Sequence, residues 1–135
     1  MDVMRSTYVY KVLKSSWGIW ISVTAAVRRG DGGGSSGNER TPELKFSGRA
    51  AEMPLEYQDQ LREGWVTVSS EIARQVEDDI CVVVEDVGFV DTDFQAEGLA
   101  VAMCRWAEQA FGLEAHEVDV TFDSEENRYK FVWAG

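Results

Sequence analysis

Three aspartates are the clearest candidates for chemistry in this sequence. Asp86, Asp91 and Asp93 precede a long, Ala-rich amphipathic run. Carboxylate oxygens are the protein ligands that Mg²⁺ prefers, so the three acids could form a metal site. They could also begin a helix, because Thr92 and Gln95 have capping-box spacing and the helix dipole favours acids at its N-terminus. We predict helix initiation, with a metal site as the alternative.

One histidine and two cysteines could also do chemistry. His116 has no second histidine or suitable cysteine close to it in the sequence, so no zinc site is predicted. A Cys–His mechanism would pair His116 with Cys81 or Cys104, and both cysteines lie in apolar runs typical of buried thiols. P-loop, dinucleotide-binding and HExxH motifs do not occur. We therefore predict no cofactor and no enzymatic activity.

Cysteine usage and hydropathy bear on location. Two cysteines in 135 residues do not resemble the disulfide framework of a small secreted protein. No apolar run reaches the roughly 18 residues of a transmembrane helix. The N-terminus has an early acid and lacks the apolar segment of a signal peptide. The sequence therefore predicts a cytoplasmic protein without a membrane partner.

Charge is distributed unevenly along the chain. The formal net charge is −11, but residues 1–50 hold eight basic and four acidic residues, whereas residues 51–135 hold five and twenty. Strong negative charge repels nucleic acid at long range and favours a basic protein partner. The basic first part could still make a local anion or RNA contact near a Gly/Ser-rich segment. The candidates for that contact are Arg28, Arg29 and Arg40.

Hydrophobic periodicity predicts the elements that position these residues. Alternating or continuous apolar residues predict four strands, at 8–13, 19–27, within ELKFSGRA (43–50) and at 80–84. Residues 29–41 are polar and rich in Gly and Ser, and they lie between two strand-like stretches. This pattern predicts a flexible hairpin loop rather than a phosphate-binding loop, which would require a helix to follow.

Two amphipathic helices are predicted. The first begins at Pro54, whose missing amide proton is tolerated in a first turn, and Gly64 is a predicted point of weakness within it. The second begins near Thr92 and ends at Gly112. Their apolar stripes consist of Leu61, Trp65, Val68, Ile72 and Val76 in the first helix, and of Ala96, Leu99, Ala100, Met103, Ala107, Ala110 and Phe111 in the second.

The C-terminal residues are predicted to form a β-hairpin that carries a partner surface. Tyr129, Phe131 and Trp133 alternate along one strand, so their rings share one face. Such a face either completes the core or meets another protein, because isolated domains seldom leave large apolar patches bare. We predict an interface there, to a second copy or to a basic partner. Acids around the rings, among them Asp123 and Glu125, would form its negative rim.

Together these elements predict one domain over residues 1–135. The expected fold class is an α/β (α+β) two-layer sandwich, with a mixed sheet of four to six strands, two helices on one face and a C-terminal β-hairpin. The sequence predicts how the chain is built more firmly than what it binds.

Two stretches resemble a known family. EMPLEYQDQLREG (52–64) and VVVEDVGFVDTDFQAEGLAVAMCRWAEQA (82–110) resemble domain IV of elongation factor G-type translational GTPases, within the ribosomal protein S5 domain 2-like fold. The likeness covers about residues 17–112. It implies that fold and an association with the ribosome or RNA.

Three functions are therefore considered. The preferred prediction is a non-catalytic acidic protein-binding module that neutralises or regulates a basic partner. The first alternative is a ribosome- or RNA-associated domain related to translation factor domain IV. The second is a small metal-dependent enzyme.

Overall fold

A four-stranded mixed sheet forms the base of the fold. The computed structural model describes residues 4–29, 42–76 and 80–133. The strands follow the order β1-β2-β4-β3, in which β3 and β4 are parallel and the other neighbours are antiparallel. Their bounds are β1 Met4–Leu13, β2 Gly18–Arg29, β3 Glu43–Phe46 and β4 Ile80–Phe89.

The remaining elements are helices and a separate hairpin. The helices are α1 (Gly48–Ala51), α2 (Leu55–Gln75) and α3 (Gly98–Phe111), with a 3₁₀ turn at Asp91–Asp93. Strands β5 (Val118–Asp123) and β6 (Arg128–Trp133) form a second, two-stranded antiparallel sheet. The predicted class, a mixed sheet with helices and a C-terminal hairpin in an α+β sandwich, is confirmed, and α1 is a short addition to it.

Strand β2 shows why one face of the sheet is covered. Ile19, Ile21 and Val23 are buried, whereas Trp20 and Ser22 between them are partly exposed. Alternation with period two places the first set on one face. Together with the apolar residues of α2 and α3, that face forms a single core.

Helix α2 is continuous, so the predicted break near Gly64 does not occur. A side chain at position 64 would overlap the carbonyl oxygen of Ala100 on α3. The missing side chain therefore lets the two helices approach closely. Close packing of this kind outweighs the low helix propensity of glycine.

Helix α3 begins later than predicted. Its first residue is Gly98, whereas Thr92 lies in the 3₁₀ turn and caps neither the turn nor α3 with its side chain. The predicted capping box is therefore wrong, because Gln95 has another partner and Thr92 makes no cap hydrogen bond. The Gln95 amide bonds the backbone of Tyr129, and Asp93 Oδ1 accepts a hydrogen bond of 3.3 Å from the Gly18 amide.

The end of α3 agrees with the sequence. Gly112 caps the helix in the left-handed conformation, with a φ of 66°. Burial extends beyond the predicted stripe, because residues such as Val101, Cys104 and Trp106 are also buried. The helix is therefore enclosed on nearly all sides. In the part of the chain described, no helix is both long and apolar enough to cross a membrane.

The turn of the C-terminal hairpin is built from polar residues. Asp123 Oδ1 accepts hydrogen bonds from the amides of Glu125 and Glu126, and Asn127 adopts a φ of 56°. Trp17 packs edge-on against Phe122 and Tyr129 and so joins the hairpin to the turn between β1 and β2.

Candidate functional site

An open groove lies between helix α2 and strand β6. Its volume is about 1030 Å³, at the upper end of the roughly 300–1,000 Å³ of ligand pockets. One wall is the outward side of α2 and the other is β6, with Ala100 of α3 between them. The residues that line the groove from α2 are Gln60, Arg62, Glu63, Val66 and Thr67.

The second wall combines apolar groups and charges. Phe131 and Trp133 are partly exposed there, and Val132 is exposed. Val66 faces them from α2 and is 70% exposed. Phe131 and Trp133 pack partly against the core, and Val132 alternates to the other face of β6. Exposed apolar side chains beside charged residues are typical of a surface that meets another molecule.

Several charges of the groove are already neutralised. Arg128 forms an ion pair with Glu97, and Lys130 lies 3.0 Å from Asp123. Arg62 pairs with Asp59 at 2.9 Å and also lies over the Phe46 ring, 4.9 Å from its centroid. Among the described residues, Glu63 forms no ion pair. The hydrogen bond to Asp123, together with the charges of Asp123 and Glu126, raises the pKa of the Lys130 amine, so Glu126 shares that cation.

The outer edge of β6 is partly occupied by a side chain. Gln95 Oε1 accepts a hydrogen bond from the Tyr129 amide at 2.7 Å, and Gln95 Nε2 donates to the Tyr129 carbonyl at 2.6 Å. A carboxamide carries the same donor and acceptor as a peptide group. Gln95 thus pairs with β6 as one residue of a neighbouring strand would.

Tyr129 belongs to the core, which corrects its predicted role as a partner contact. The side chain is 1% exposed. Its hydroxyl donates to the Trp17 carbonyl at 2.6 Å and accepts from the Lys14 amide at 2.9 Å. A ring with both functions satisfied inside the protein cannot reach a partner. Of the three predicted rings, Phe131 and Trp133 are the two that remain partly exposed at the groove.

The predicted acidic rim is also divided. Asp123 is engaged by the turn amides and by Lys130, and the hydrogen bond from Lys130 lowers the pKa of the Asp123 carboxyl. Asp123 therefore stabilises the hairpin turn, and its side chain remains 23% exposed. Glu125 is exposed in the same turn. Of the other acids near the hairpin, Glu126 lines the groove.

A polar cluster surrounds His116 at the groove. His116 Nδ1 lies 2.7 Å from Glu108 Oε2, and His116 Nε2 lies 2.9 Å from Glu71 Oε1. The His116 amide donates to the same Glu108 oxygen at 2.6 Å. Arg105 donates to Glu108 Oε1 at 2.9 Å and to the His116 carbonyl at 2.7 Å. Cys104 Sγ lies 3.7 Å from His116 Nδ1.

The cluster contains the ligand types of a metal site, but its polar groups already make hydrogen bonds or ion pairs with one another. Ligand atoms of Cys104, Glu108 and His116 all lie within 4.8 Å of one another. Both nitrogens of His116, however, face carboxylates, and Arg105 holds Glu108. Burial lowers the pKa of His116, but the Glu108 hydrogen bond and the Glu71 charge outweigh it and raise that pKa overall. With each ring nitrogen facing a carboxylate, His116 links Glu71 of α2 to Glu108 of α3.

Nucleophilic chemistry is disfavoured at the same cluster. Burial, and after it the charge of Glu108, raise the pKa of the Cys104 thiol to about 12. A thiolate nucleophile requires a lowered pKa. For Glu108, burial raises the pKa, but hydrogen bonds from the His116 amide and Arg105 lower it overall. Cys104 is also fully buried, as predicted, whereas Cys81 is partly exposed.

The three aspartates of the predicted metal site do not come together. Asp86 lies within β4, opposite Thr24 of β2, and Asp91 and Asp93 belong to the 3₁₀ turn. Within the described ranges, the cluster around Cys104 is the one group of three such side chains with metal-ligand spacing. The metal site predicted from Asp86, Asp91 and Asp93 is therefore not formed in this fold.

The predicted basic contacts are only partly described. Arg28 is exposed near the end of β2, and Arg29 is the last residue of that strand. Arg40 and nearly all of the predicted loop 29–41 lie outside the described residues. Arg28 shares the face of the sheet that the helices leave uncovered with two other basic residues, Arg5 and Lys11.

Sequence spacing can indicate only some of the contacts in the His116 cluster. Cys104 and Glu108 are four residues apart, a spacing that places two residues on one side of a helix. Glu71 lies 45 residues before His116, and nothing in the spacing joins them. The role of Gln95 was missed because Gln95 also fitted a capping box.

Comparisons with known proteins support the fold alone. No protein-family model matches the chain, and no curated protein matches it. A similar solved structure is the crystal structure of ttk003000868 from Thermus thermophilus, with a TM-score of 0.52 and 12% identity. The match covers 77% of this chain and 15% of the Thermus chain, so this chain corresponds to a small part of that protein.

Proposed function

We propose that the chain is a non-catalytic protein-binding module whose basic partner docks in the groove between α2 and β6. The observation that carries the proposal is a groove lined by exposed apolar residues and by acids. Val66 and Val132 are 70% and 62% exposed, and Glu63, one turn from Val66, and Glu126 line the same groove. Partly exposed Trp and Phe side chains add the residue types that often dominate binding energy.

The charge of the whole chain supports a basic partner. A net charge of −11 creates a negative field that attracts basic proteins over a Debye length of about 8–10 Å. A non-catalytic function is proposed because the polar groups around His116, the cluster best suited to chemistry, are hydrogen-bonded to one another. The proposed location is the cytoplasm, since the thiols of Cys81 and Cys104 are free and lie on different elements.

Two matched substitutions test the proposed surface. Val66→Arg places a long cation in the groove, whereas Leu55→Arg places the same side chain elsewhere on α2, where Leu55 is 66% exposed. A basic partner identified by cross-linking and then purified should bind Val66→Arg at least about 10-fold more weakly, a loss of about 1.4 kcal/mol. Leu55→Arg should bind within about threefold of the parent. Equal effects of the two substitutions would contradict docking in the groove.

A second candidate function is association with the ribosome or another RNA. It is favoured by the basic residues Arg5, Lys11 and Arg28 on the uncovered face of the sheet, and by the resemblance of residues 52–64 and 82–110 to translation factor domain IV. Arg5 is already held by Glu85 at 2.6 Å, which reduces this charge. RNA binding through phosphates would weaken steeply with salt. A salt titration with a structured RNA, comparing the parent with Arg28→Glu, tests this candidate.

A further inference from the structure

We propose that the groove takes its partner as an extended basic segment that adds a third strand to the β5–β6 hairpin. This inference rests on the proposed function and names the form in which the partner is recognised. The observation behind it is the pairing of Gln95 with Tyr129, in which a side-chain amide occupies the first position on the edge of β6.

The pairing shows which backbone groups of β6 point outwards. In an antiparallel ladder, alternate residues direct both backbone groups towards the neighbouring strand and the others direct both away. Tyr129 gives both groups to Gln95, so it is one of the residues that point away from β5. Phe131 and Trp133 follow at intervals of two and therefore point the same way. Within the described residues, the amides and carbonyls of Phe131 and Trp133 have no partner on this side and form an open strand edge.

That edge opens into the groove. Residues of β6 line the groove from Arg128 to Trp133, whereas no residue of β5 lines it. The groove therefore lies on the side of β6 that faces away from its partner strand. Residues 130–133 extend about 13 Å at roughly 3.3 Å per residue, enough to pair with a segment of four or five residues.

The side chains that line the groove determine which kind of segment fits it. Backbone pairing with Phe131 and Trp133 gives affinity, and alternate side chains of an added strand point to opposite sides. Glu63 and Val66 lie one turn apart on the same side of α2, so this wall favours an apolar side chain of the segment with a lysine or arginine near it. The net charge of −11 favours a basic segment as a whole. A second folded copy is a poorer fit, because its own β6 edge is bordered by its own α2. A single extended segment has no such wall.

The experiment uses the full chain and a fluorescent Lys-Val-Lys-Val-Lys-Val peptide. Fluorescence anisotropy should show saturable binding, and the same peptide with every backbone amide N-methylated should bind at least about 10-fold more weakly. Amide exchange measured by NMR should slow at least about 10-fold at Phe131 and Trp133 on saturation. Phe131→Pro, which removes one outward amide, should weaken binding, whereas Phe131→Leu, which keeps the amide, should retain it.

Three other results would overturn strand addition. If N-methylation and Phe131→Pro leave peptide binding unchanged and no amide is slowed, the partner is held by its side chains, and the proposed function stands. If the peptide fails to bind although a purified basic partner binds in a manner that Val66→Arg weakens, again only the proposed function stands. Slow exchange at Phe131 that strengthens with protein concentration without peptide would mean that a second copy occupies the edge.

Discussion

His116 links helix α2 to helix α3 through Glu71 and Glu108, with nitrogen-to-oxygen distances of 2.9 Å and 2.7 Å. The contact between His116 and Glu71 spans 45 residues, so sequence spacing does not predict it. An imidazole can donate to both carboxylates only when it is protonated on both nitrogens. The link therefore depends on pH.

Replacing His116 with Asn should remove this pH dependence. The pKa of His116 is raised in the folded state, so its contribution to stability is complete below the unfolded pKa of about 6.5 and is lost as pH rises through the folded pKa. The difference in unfolding free energy between the parent and His116→Asn should thus be larger at pH 6 than at pH 9. Urea unfolding at both pH values measures it, and a difference independent of pH would contradict the charged link.

Cys104 should be unreactive in the folded protein. Burial and the Glu108 charge raise the pKa of its thiol to about 12, and its side chain is fully buried. Cys81 is partly exposed, although burial also raises its pKa. A thiol reagent at pH 8 should therefore modify Cys81 first and Cys104 only upon unfolding, as mass spectrometry would show. Rapid modification of Cys104 in the native protein would indicate an accessible, activated thiol.

Gly64→Ala should destabilise the protein although it raises helix propensity. Alanine is favoured over glycine by about 1 kcal/mol within a helix. Here the added methyl would overlap the Ala100 carbonyl, and overpacking typically costs about 1–3 kcal/mol. Ser70→Ala, at an exposed site of the same helix, serves as the control and should change stability by less than about 0.5 kcal/mol. Stabilisation by Gly64→Ala would mean that the helices are further apart than described.

Gln95 should contribute more to the free energy of unfolding than Thr92, the predicted cap of α3. Gln95→Ala removes two hydrogen bonds to the Tyr129 backbone and should cost about 1–3 kcal/mol. Thr92→Ala should cost less than about 0.5 kcal/mol, because Thr92 is exposed and makes no cap hydrogen bond. Thermal unfolding of the two variants compares them. A larger loss for Thr92→Ala would restore the capping interpretation.

These contrasts show what the sequence could predict. The alternation in β2 and in the hairpin identified strands because period two depends on neighbours along the chain. Local spacing predicts a capping box at Gln95, because spacing does not reveal that the backbone of Tyr129 competes for the Gln95 amide. Tyr129 was placed on a partner surface for a related reason, since the sequence does not show that Trp17 and Lys14 satisfy its hydroxyl. A site whose residues lie far apart in the sequence can be recognised only when the fold is known.

The central claim is that the partner occupies the groove between α2 and β6. Hydrogen–deuterium exchange of the chain with and without a purified basic partner tests it most directly. The account predicts slower exchange in residues 126–133, where the free amides of Phe131 and Trp133 lie, and little change in β1 and β2. Protection confined to β1 and β2, with residues 126–133 unchanged, would contradict it and would place the contact on the uncovered face of the sheet.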